Sequence, residues 1–432
     1  MAKAAKRQRD GATEGLDVEV AVAGGGLVGL SLGCALAGAG LTVAIVDAEP
    51  PERVLEEPFD GRASAIALGS QRLLETIGVW RHVGAAAAPI RDIRVSDGRV
   101  GEAASRLFLH YDADEVAGGG PVGSGVMGWI VENRVLRQAL HRRAGELASL
   151  RLIAPARVAS AERGPGRASL LLEDGRSLRA PLIAGCDGRA SPLREAAGIA
   201  VTRWDYPQDG IVATLLHELD HEDVAHEHFL PSGPFAVLPL TDAPDGGHRS
   251  SLVWTERRAV ADGVMGLDDV GFAREIERRF GDSLGRIRVA GRRWRYPLGL
   301  QLAQRIVAPR LALVGDAAHV IHPIAGQGFN LGLRDIGALA EVLVDARRLG
   351  LDLGAESVLE RYQRWRRFDN LALAGVTDGL NRLFSNDFGP LRLVRDLGLA
   401  AVDRSGPLKR LFMRHAMGLA GDLPRLCRGE PL

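Results

Sequence analysis

The amino-acid sequence predicts an α/β (α+β) fold with two domains and a C-terminal helical segment. Three observations support this prediction. A strand–helix–strand pattern with a glycine-rich turn near the N-terminus indicates a parallel sheet. Strands interrupted by Gly and Pro over residues 211–256 indicate an antiparallel sheet, and residues beyond 356 have helical periodicity. The length of 432 residues also exceeds what one ordinary hydrophobic core accommodates.

The first element is a βαβ unit between Val18 and Asp47. Alternating valines form a short apolar strand, residues 30–38 have helical composition, and residues 41–46 form a second apolar strand. Between the first strand and the helix lies the glycine turn Gly24-x-Gly26-x-x-Gly29. This order of strand, turn, helix, strand and terminal acid is typical of a Rossmann-like dinucleotide-binding unit.

Each residue of the turn has a physical role in such a unit. Gly24 permits the turn, Gly26 lets the backbone approach a pyrophosphate, and Gly29 allows close helix–sheet packing. The start of the helix presents unpaired N–H groups to the phosphate, and Asp47 can accept hydrogen bonds from the ribose hydroxyls of adenosine. The alternative is a buried glycine-rich turn that binds nothing.

Composition limits the class of protein. Residues 27–46 are uncharged, but four glycines and a strand-like end favour two buried elements of a soluble domain over one membrane span. No export signal precedes them, because the basic start of the chain runs into acidic residues. The 54 basic and 54 acidic residues balance, so no global field indicates a nucleic-acid partner. The three cysteines lack metal or redox spacing, which favours a reducing cytoplasm.

Three further residues follow predicted elements near this unit. Arg62 can clamp a pyrophosphate with its guanidinium group, or it is an ordinary surface arginine. Asn133 begins a helix and can contact a cofactor, although helix capping explains it equally well. Asp187 follows an apolar strand and so lies at the carboxyl edge of a sheet, where ligands collect; an Asp-Gly turn is also common for structural reasons alone.

The second informative stretch covers residues 310–343. Residues 311–314 form a strand that ends at Gly315-Asp316, residues 325–330 form a loop, and residues 331–343 form a helix. Asp316 can accept a hydrogen bond from a polyol chain, and the backbone N–H groups of Gly326–Gly328 can stabilise negative charge on a ring. A flavin, with its ribityl chain and its charged reduced ring, requires both features.

Histidines receive a structural interpretation. His319 and His322 flank the glycine loop, and packing or loop hydrogen bonds explain them better than catalysis. Four others lie on predicted strands or in an acidic loop, where solvated strand faces explain them better than a metal site: His217, His221, His226 and His228. We therefore expect no metal.

The last helix is amphipathic. Its apolar side carries Leu408, Leu411, Phe412, Ala416 and Leu419, and its basic residues lie elsewhere. Packing on its own domain is one interpretation, and contact with an anionic lipid surface is the other.

Taken together, GGGLVGL with Asp47, GCDGRASPLREAAGI (185–199) and GDAAHVIHPIAGQGFNLGLRD (315–335) resemble the single-component FAD-dependent aromatic hydroxylases of the para-hydroxybenzoate hydroxylase group. Within that group, DGRASAIALGSQRLLETIGVW, VENRVLRQAL, FLPSGPFAVLPL and RHAMGLAGDLPRLCRGE are similar to the ubiquinone-biosynthesis hydroxylases, which act on polyprenylated phenols. One departure is Asp47, where the group more often has Glu; a carboxylate is retained.

The resemblance implies a role for each matching residue. Residues expected to hold the ADP half of FAD are Gly24, Gly26, Gly29 and Asp47, with Arg62 and Asn133 supporting the pyrophosphate. Asp187 matches a shared flavin and nicotinamide motif, and Gly315-Asp316 matches the ribityl contact. Gly326, Gln327 and Gly328 match the loop beside the isoalloxazine ring. No catalytic residue is identified.

We also expect the following domain boundaries, with an FAD-binding domain that is discontinuous in the sequence. Residues 1–16 are expected to be a disordered tail. Residues 17–90, 128–200 and 300–345 are expected to form the FAD-binding domain, residues 91–127 and 201–299 the substrate-binding sheet domain, and residues 346–432 the C-terminal helical region. Residues 235–240 and 296–298 are either walls of the substrate pocket or ordinary core.

The implied reaction is hydroxylation of a phenol ring with FAD as bound cofactor, NAD(P)H as co-substrate and O₂, through a C4a-hydroperoxyflavin whose distal oxygen the ring attacks. The protein then has to orient the ring, stabilise flavin charge and exclude water. One rival is a flavin-dependent prenyl-lipid reductase on the same scaffold. The other is a non-catalytic FAD-binding member of an assembly with other ubiquinone-biosynthesis proteins. The expected location is the cytoplasm, with peripheral contact to the inner membrane through the C-terminal helices as an open alternative.

Overall fold

The computed structural model of the protein describes residues 15–56, 61–101, 108–113, 125–385, 398 and 402–432. Most of the predicted tail, residues 1–14, lies outside the described residues. Leu16 belongs to a strand rather than to a tail, because its backbone pairs with that of Leu178. The predicted helical region is described only in part, since residues 386–397 and 399–401 also lie outside.

The strands of the first half of the chain are β1 (Leu16–Asp17), β2 (Val20–Ala23), β3 (Val43–Val46), β4 (Ala63–Ala67), β5 (Ala87–Ile90), β6 (Asp92–Asp97), β7 (Phe108–Asp112), β8 (Gly128–Glu132), β9 (Leu150–Ile153), β10 (Val158–Arg163), β11 (Ala168–Leu172), β12 (Ser177–Ala180) and β13 (Leu182–Gly185). Those of the second half are β14 (Val201–His217), β15 (Val224–Leu230), β16 (Gly233–Leu240), β17 (His248–Arg257), β18 (Ile287–Ala303), β19 (Val307–Ala308), β20 (Leu311–Leu313) and β21 (His319–Val320).

The α-helices are α1 (Leu27–Gly38), α2 (Pro51–Glu56), α3 (Leu68–Thr76), α4 (Asn133–Gly145), α5 (Pro192–Ala196), α6 (Arg258–Met265), α7 (Asp269–Phe280), α8 (Gln327–Arg348), α9 (Glu356–Phe384), α10 (Gly406–Ala416) and α11 (Arg425–Arg428). Among the described residues, none of these helices is both long and apolar enough to cross a bilayer. The uncharged stretch 27–46 divides into the twelve-residue helix α1 and the strand β3, as the sequence predicts.

The first sheet is mostly parallel and has the strand order β19-β20-β13-β2-β3-β9. Its neighbouring strands run parallel except for the edge pair β19 and β20. Every residue of β2, β3 and β13 is buried, as expected for a sheet that is covered on both faces. The predicted parallel sheet is therefore present.

The second large sheet has eight strands in the order β21-β18-β14-β17-β16-β15-β6-β7. The strands that the sequence predicts over residues 211–256 pair antiparallel with one another, which confirms the prediction. The other pairs in this sheet are also antiparallel, except that β15 and β6 run parallel. The reason is connectivity: β6 and β15 are separated by residues 98–223 and are not joined by a hairpin that would force opposite directions. Two smaller sheets have the orders β1-β12-β11-β10 and β4-β8-β5.

The eight-stranded sheet packs on both of its faces. One face packs with α6 and α7 around Trp254, Phe235 and Phe272. The other contributes Leu240 to a cluster with Leu68, and further residues to a cluster that also contains part of α8 and α9. Helix α8 also packs in the core of the first sheet, so the cluster that it shares with the eight-stranded sheet lies at the junction between the two sheets, where ligand sites of two-part enzymes usually lie. The domain boundaries themselves stay a prediction.

Candidate functional site

The segments that the sequence singles out leave the first sheet at one edge. Ala23 pairs with Val46 and with Gly185, and Gly185 pairs in turn with Leu313. Because these strands are parallel, the residues that follow them emerge side by side at the carboxyl edge: Gly24, Asp47, Asp187 and Gly315. The fold therefore brings together residues that lie almost 300 positions apart in the sequence.

The glycine turn has the geometry that its sequence predicts. Gly24 has a φ of +102°, and a Cβ at this position would overlap the carbonyl oxygen of Cys186. A Cβ at Gly29 would overlap the carbonyl oxygen of Gly24. A Cβ at Gly26, in contrast, would meet no atom within 4 Å. Packing therefore requires Gly24 and Gly29, whereas open space in front of Gly26 leaves its backbone accessible to a ligand.

The start of α1 can receive an anion. Gly26 is its N-cap residue, no side chain caps the helix, and its first turn carries no acidic residue. The first N–H groups of a helix lack intrahelical acceptors and carry partial positive charge. A pyrophosphate fits this turn, because open space lies in front of Gly26 at the start of the helix.

Asp47 lies against the same turn. One carboxylate oxygen accepts a hydrogen bond from the backbone N–H of Gly25. The other accepts a hydrogen bond from the backbone N–H of Glu49 at 2.7 Å. These bonds fix the carboxylate beside the glycines, where the sequence predicts the ribose contact. The ribose contact itself stays a prediction.

Asp187 has one carboxylate oxygen without a hydrogen-bond partner in the part of the chain that the structure describes. Its Oδ2 accepts the backbone N–H of Leu193 at 3.1 Å, whereas its Oδ1 is buried and has no partner among the described residues. A buried carboxylate oxygen without a donor is costly, so a ligand that donates a hydrogen bond here would remove that cost.

Gly315 and Asp316 follow β20 within a 3₁₀ turn. Gly315 has a φ of +62°, and its N–H donates to Asp335 Oδ2 at 3.1 Å. Asp316 is exposed and makes no hydrogen bond within the described chain. Solvent reaches Asp316, but the protein around its carboxyl group still desolvates it and raises its pKa, although His319 and Arg189 act in the opposite direction. Its carboxylate is available to a hydroxyl group.

The second glycine loop differs from its prediction in one respect. Helix α8 begins at Gln327 rather than at residue 331, so Gln327 and Gly328 belong to its first turn. Gly326, with a φ of +61°, is its N-cap residue, and this left-handed conformation lets the chain enter the helix early. The N–H groups of this first turn remain the donors that the sequence places beside a ring.

Asn330 holds this loop in place, a role that the sequence did not reveal. Its amide group donates to the carbonyl oxygens of Ala65 at 2.9 Å and Gly326 at 3.1 Å. Its Oδ1 accepts the N–H of Ala67 at 3.0 Å. The loop is thereby fastened to β4, and a Cβ at Gly326 would lie 2.7 Å from the Cβ of Ala65.

Arg62 and Asn133 meet near the start of β4. The N–H of Asn133 donates to the carbonyl oxygen of Arg62 at 2.9 Å, and the Ser64 hydroxyl donates to Asn133 Oδ1 at 2.7 Å. The N-cap residue of α4 is Glu132, so the capping interpretation of Asn133 is wrong: its side chain serves β4 instead. The contact of either residue with a pyrophosphate stays a prediction.

Comparison with known proteins identifies the family. A family model described as an FAD binding domain matches residues 17–368. The ubiquinone hydroxylase UbiL of Rhodospirillum rubrum is 52% identical over 417 residues, which cover 96% of this chain and 93% of that protein. The chain belongs to the FAD-dependent aromatic hydroxylases.

Other members and a solved structure agree. The 3-demethoxyubiquinol 3-hydroxylase of Escherichia coli is 37% identical, with 93% of this chain and 98% of that protein covered. The human mitochondrial ubiquinone biosynthesis monooxygenase COQ6 is 34% identical, with 95% and 94% covered. The p-nitrophenol 4-monooxygenase PnpA of Pseudomonas putida has the same fold, with a TM-score of 0.76 at 20% identity and coverage of 94% of this chain and 99% of that chain.

The predictions of fold class, family and cofactor are confirmed by this membership. The hydroxylase is an FAD-dependent monooxygenase with NAD(P)H as co-substrate. The residues of the site fit FAD. The glycine turn and the start of α1 suit a pyrophosphate, the unpaired oxygen of Asp187 suits a hydroxyl group, and the start of α8 suits a ring that gains negative charge.

A buried network behind the site escaped sequence analysis. Asp335 is fully buried and accepts hydrogen bonds from His319 Nε2 at 2.5 Å and from Arg366 Nε at 2.8 Å. Arg366 is also fully buried and donates further to Asn370 at 3.1 Å. Because Asp335 also holds the N–H of Gly315, the network fixes the turn that carries Asp316. His319 therefore has the structural role that the sequence predicts, whereas His322 has no such hydrogen bond.

We expect the substitution Asp316→Ala to weaken FAD binding about tenfold and to leave the melting temperature of the FAD-free enzyme unchanged, because it removes a ligand contact and no buried volume. Fluorescence titration of the FAD-free protein with FAD measures the first effect, and a thermal scan measures the second. Glu277→Ala, which removes an exposed carboxylate on α7, is the matched control. An unchanged affinity in Asp316→Ala would contradict the ribityl contact.

Proposed function

We propose that this hydroxylase adds one oxygen atom to the aromatic ring of a polyprenylated phenol in ubiquinone biosynthesis. The observation that supports this most directly is the 52% identity to a ubiquinone hydroxylase over nearly the whole chain. The convergence of the Gly24 turn, Asp187 and Gly315 at one sheet edge supports the cofactor part of the proposal. The apolar junction between the two sheets suits a ring with a prenyl tail.

Each part of the site would hold one part of FAD. Pyrophosphate would lie at Gly24, Gly26 and Gly29, supported by Arg62 and Asn133, with Asp47 at the ribose. Asp316 would accept a hydrogen bond from the ribityl chain, and Asp187 would lie next to it, between the pyrophosphate and the ring. The isoalloxazine ring would lie beside Gly326, Gln327 and Gly328. The chemistry that FAD supplies when bound is the activation of O₂, with NAD(P)H as the source of electrons.

The chain itself contributes position and electrostatics. N–H groups at the start of α8 stabilise negative charge on a bound ring, and the bonds of Asn330 keep those donors in place. The apolar clusters at the junction exclude water, which protects a reactive oxygen species from unproductive loss. Binding and orientation of the phenol would add to these two contributions of the protein.

Strand alternation divides one of the two segments proposed as pocket walls. Phe235 and Val237 point into the core between the sheet and α6–α7, where Phe235 packs against Trp254. Leu238 and Leu240 point to the opposite face, toward the junction. Of the second segment, Leu298 lies in the junction cluster with Leu300. The residues proposed as pocket walls are therefore Leu238, Leu240 and Leu298.

Turnover under oxygen-18 distinguishes this function from its rivals. The FAD-loaded enzyme, a short-chain 2-polyprenylphenol and NADH or NADPH are expected to yield a product that carries one oxygen-18 atom on the ring. A prenyl-lipid reductase would yield a product with two added hydrogen atoms and no label. A non-catalytic FAD protein would show no NAD(P)H oxidation stimulated by any prenylphenol.

We also propose that the C-terminal helices contact an anionic membrane surface, which would give access to a lipid substrate. Large apolar side chains are exposed on one side of α9 and on one side of α10: Phe368, Leu371, Val376, Leu383, Leu408, Leu411 and Phe412. Exposed arginines accompany them on both helices: Arg361, Arg364, Arg367, Arg382, Arg410 and Arg414. Apolar insertion combined with basic charge is the pattern of interfacial helices.

Replacing both Leu411 and Phe412 with serine is expected to weaken binding to phosphatidylglycerol vesicles about tenfold, because each lost side chain removes apolar area from the lipid contact. Vesicle co-sedimentation measures the effect. The control is Leu171→Ser, which changes a leucine of similar exposure, 46% against 50% for Leu411, on the small sheet. Equal binding of wild type and the double variant, or loss in the control alone, would contradict the proposal.

A further inference from the structure

One histidine at the junction, His322, has no hydrogen-bond partner within the described parts of the chain. His322 is fully buried, and neither its Nδ1 nor its Nε2 is paired with any described residue. Buried polar atoms without partners are rare, because each has lost the hydrogen bonds that water would otherwise make with it, and this loss costs free energy. A fully buried imidazole with both nitrogens free therefore requires an explanation that packing does not give.

His322 lies between the eight-stranded sheet and the second glycine loop. It lies four residues before Gly326, on the segment that leads into the second glycine loop. The residue before it, Ile321, belongs to the junction cluster with Leu298 and Leu300 of the eight-stranded sheet. Nearby Ile324 belongs to a second apolar cluster with Phe229 and Phe384. His322 is thus a polar group between two apolar linings, next to the loop that the ring of FAD would face.

Tyr206, whose ring contacts His322, belongs to a polar network centred on Asp378. The ring of Tyr206 lies edge-on to that of His322, with centroids 5.3 Å apart at 73°. The Tyr206 hydroxyl donates to Asp378 Oδ1 at 2.7 Å, and Trp204 Nε1 donates to the same oxygen at 3.2 Å. The other Asp378 oxygen pairs with Arg382 at 2.9 Å. Neither nitrogen of His322 takes part in this network.

The imidazole is neutral at physiological pH. Burial lowers the pKa of His322 to about 4, while Asp378 acts in the opposite direction. A neutral imidazole has one N–H donor and one nitrogen acceptor. It can therefore accept a hydrogen bond from a hydroxyl group, and the contact does not require desolvation of a charged imidazolium.

We propose that His322 binds the phenolic hydroxyl of the substrate, with a ring nitrogen as acceptor. This role rests on the proposed function, since it requires a phenol at the junction. A single acceptor in an apolar lining fixes which way the ring turns, and accepting the hydroxyl hydrogen bond increases electron density on the ring. His322 would accordingly select hydroxylated rings over rings that lack the hydroxyl group.

The test compares two ligands that differ only in that group: 2-farnesylphenol and farnesylbenzene. Calorimetric titration of the FAD-loaded wild type is expected to give about tenfold tighter binding of the phenol. His322→Leu, which fills the same apolar space without nitrogen atoms, is expected to bind both ligands equally. His322→Asn keeps an acceptor and is expected to retain part of the preference.

Controls separate this role from a structural one. His226→Leu removes a histidine from the opposite face of the sheet, where His226 packs against Phe280 of α7, and it should preserve the preference. Retention of the full preference by His322→Leu, or equal weakening of both ligands, would overturn the assignment. A wild-type enzyme that binds neither ligand would instead overturn the proposed function, and the role of His322 with it.

Discussion

Replacing Asp335 with alanine is expected to lower the free energy of unfolding by about 3–5 kcal/mol. Asp335 and Arg366 are both fully buried, and their hydrogen bond measures 2.8 Å. Removal of the carboxylate leaves the Arg366 charge buried with less compensation and releases the N–H of Gly315. Urea unfolding of the FAD-free variant and wild type measures the difference.

A double variant tests the cause. Asp335→Leu combined with Arg366→Met removes both charges and keeps the volume apolar, so most of the lost stability should return. If the double variant is as unstable as Asp335→Ala, loss of packing rather than an uncompensated charge explains the effect. An Asp335→Ala variant within about 1 kcal/mol of wild type would show that Asp369 and Asn370 suffice for Arg366.

The same network makes the free energy of unfolding decrease at low pH. Burial raises the pKa of Asp335, but His319 and Arg366 outweigh burial and leave the pKa below its usual value of 3.8. A carboxyl group with a lowered pKa in the folded state contributes stability that is complete above the unfolded pKa and is lost as the pH falls through the folded pKa. We expect this contribution to begin to decrease below about pH 4 in wild type, to be lost as the pH falls through the lower folded pKa, and to be absent from the double variant.

The substitution Gly29→Ala is expected to impair both folding and FAD binding. The added Cβ would overlap the carbonyl oxygen of Gly24, so the backbone of the turn has to move. Overpacking of this kind costs about 1–3 kcal/mol, which corresponds to about 5- to 150-fold in an equilibrium constant. Thermal scans of the FAD-free protein and fluorescence titration with FAD are both expected to show the loss.

Gly26→Ala provides the matched control because the same methyl group meets no protein atom within 4 Å there. We expect its FAD-free form to melt as wild type does, while FAD binds more weakly because the methyl group lies where a pyrophosphate would approach. Unchanged FAD affinity in Gly26→Ala would contradict the position of the pyrophosphate. Lower stability without FAD would contradict the open space.

Local patterns allowed much of the site to be predicted. The turn at Gly24–Gly29 and the end of β20 at Gly315 depend on short-range requirements: a tight backbone turn, an apolar strand and a polar residue at its end. The same reasoning failed at the start of α8, because the left-handed Gly326 lets the helix begin four residues early. It also failed at Asn133, whose partner Ser64 lies 69 residues away.

The sequence by itself determined the βαβ unit, the two glycine turns and the family, because each depends on residues that are close together in the chain. Only the tertiary structure decided which residues support them. The pairing of Asp335 with Arg366, the attachment of Asn330 to β4 and the isolation of His322 all depend on contacts between distant segments. The physical reason is that burial and hydrogen-bond partners are properties of the packed chain, and an isolated aspartate, asparagine or histidine in a sequence carries no record of them.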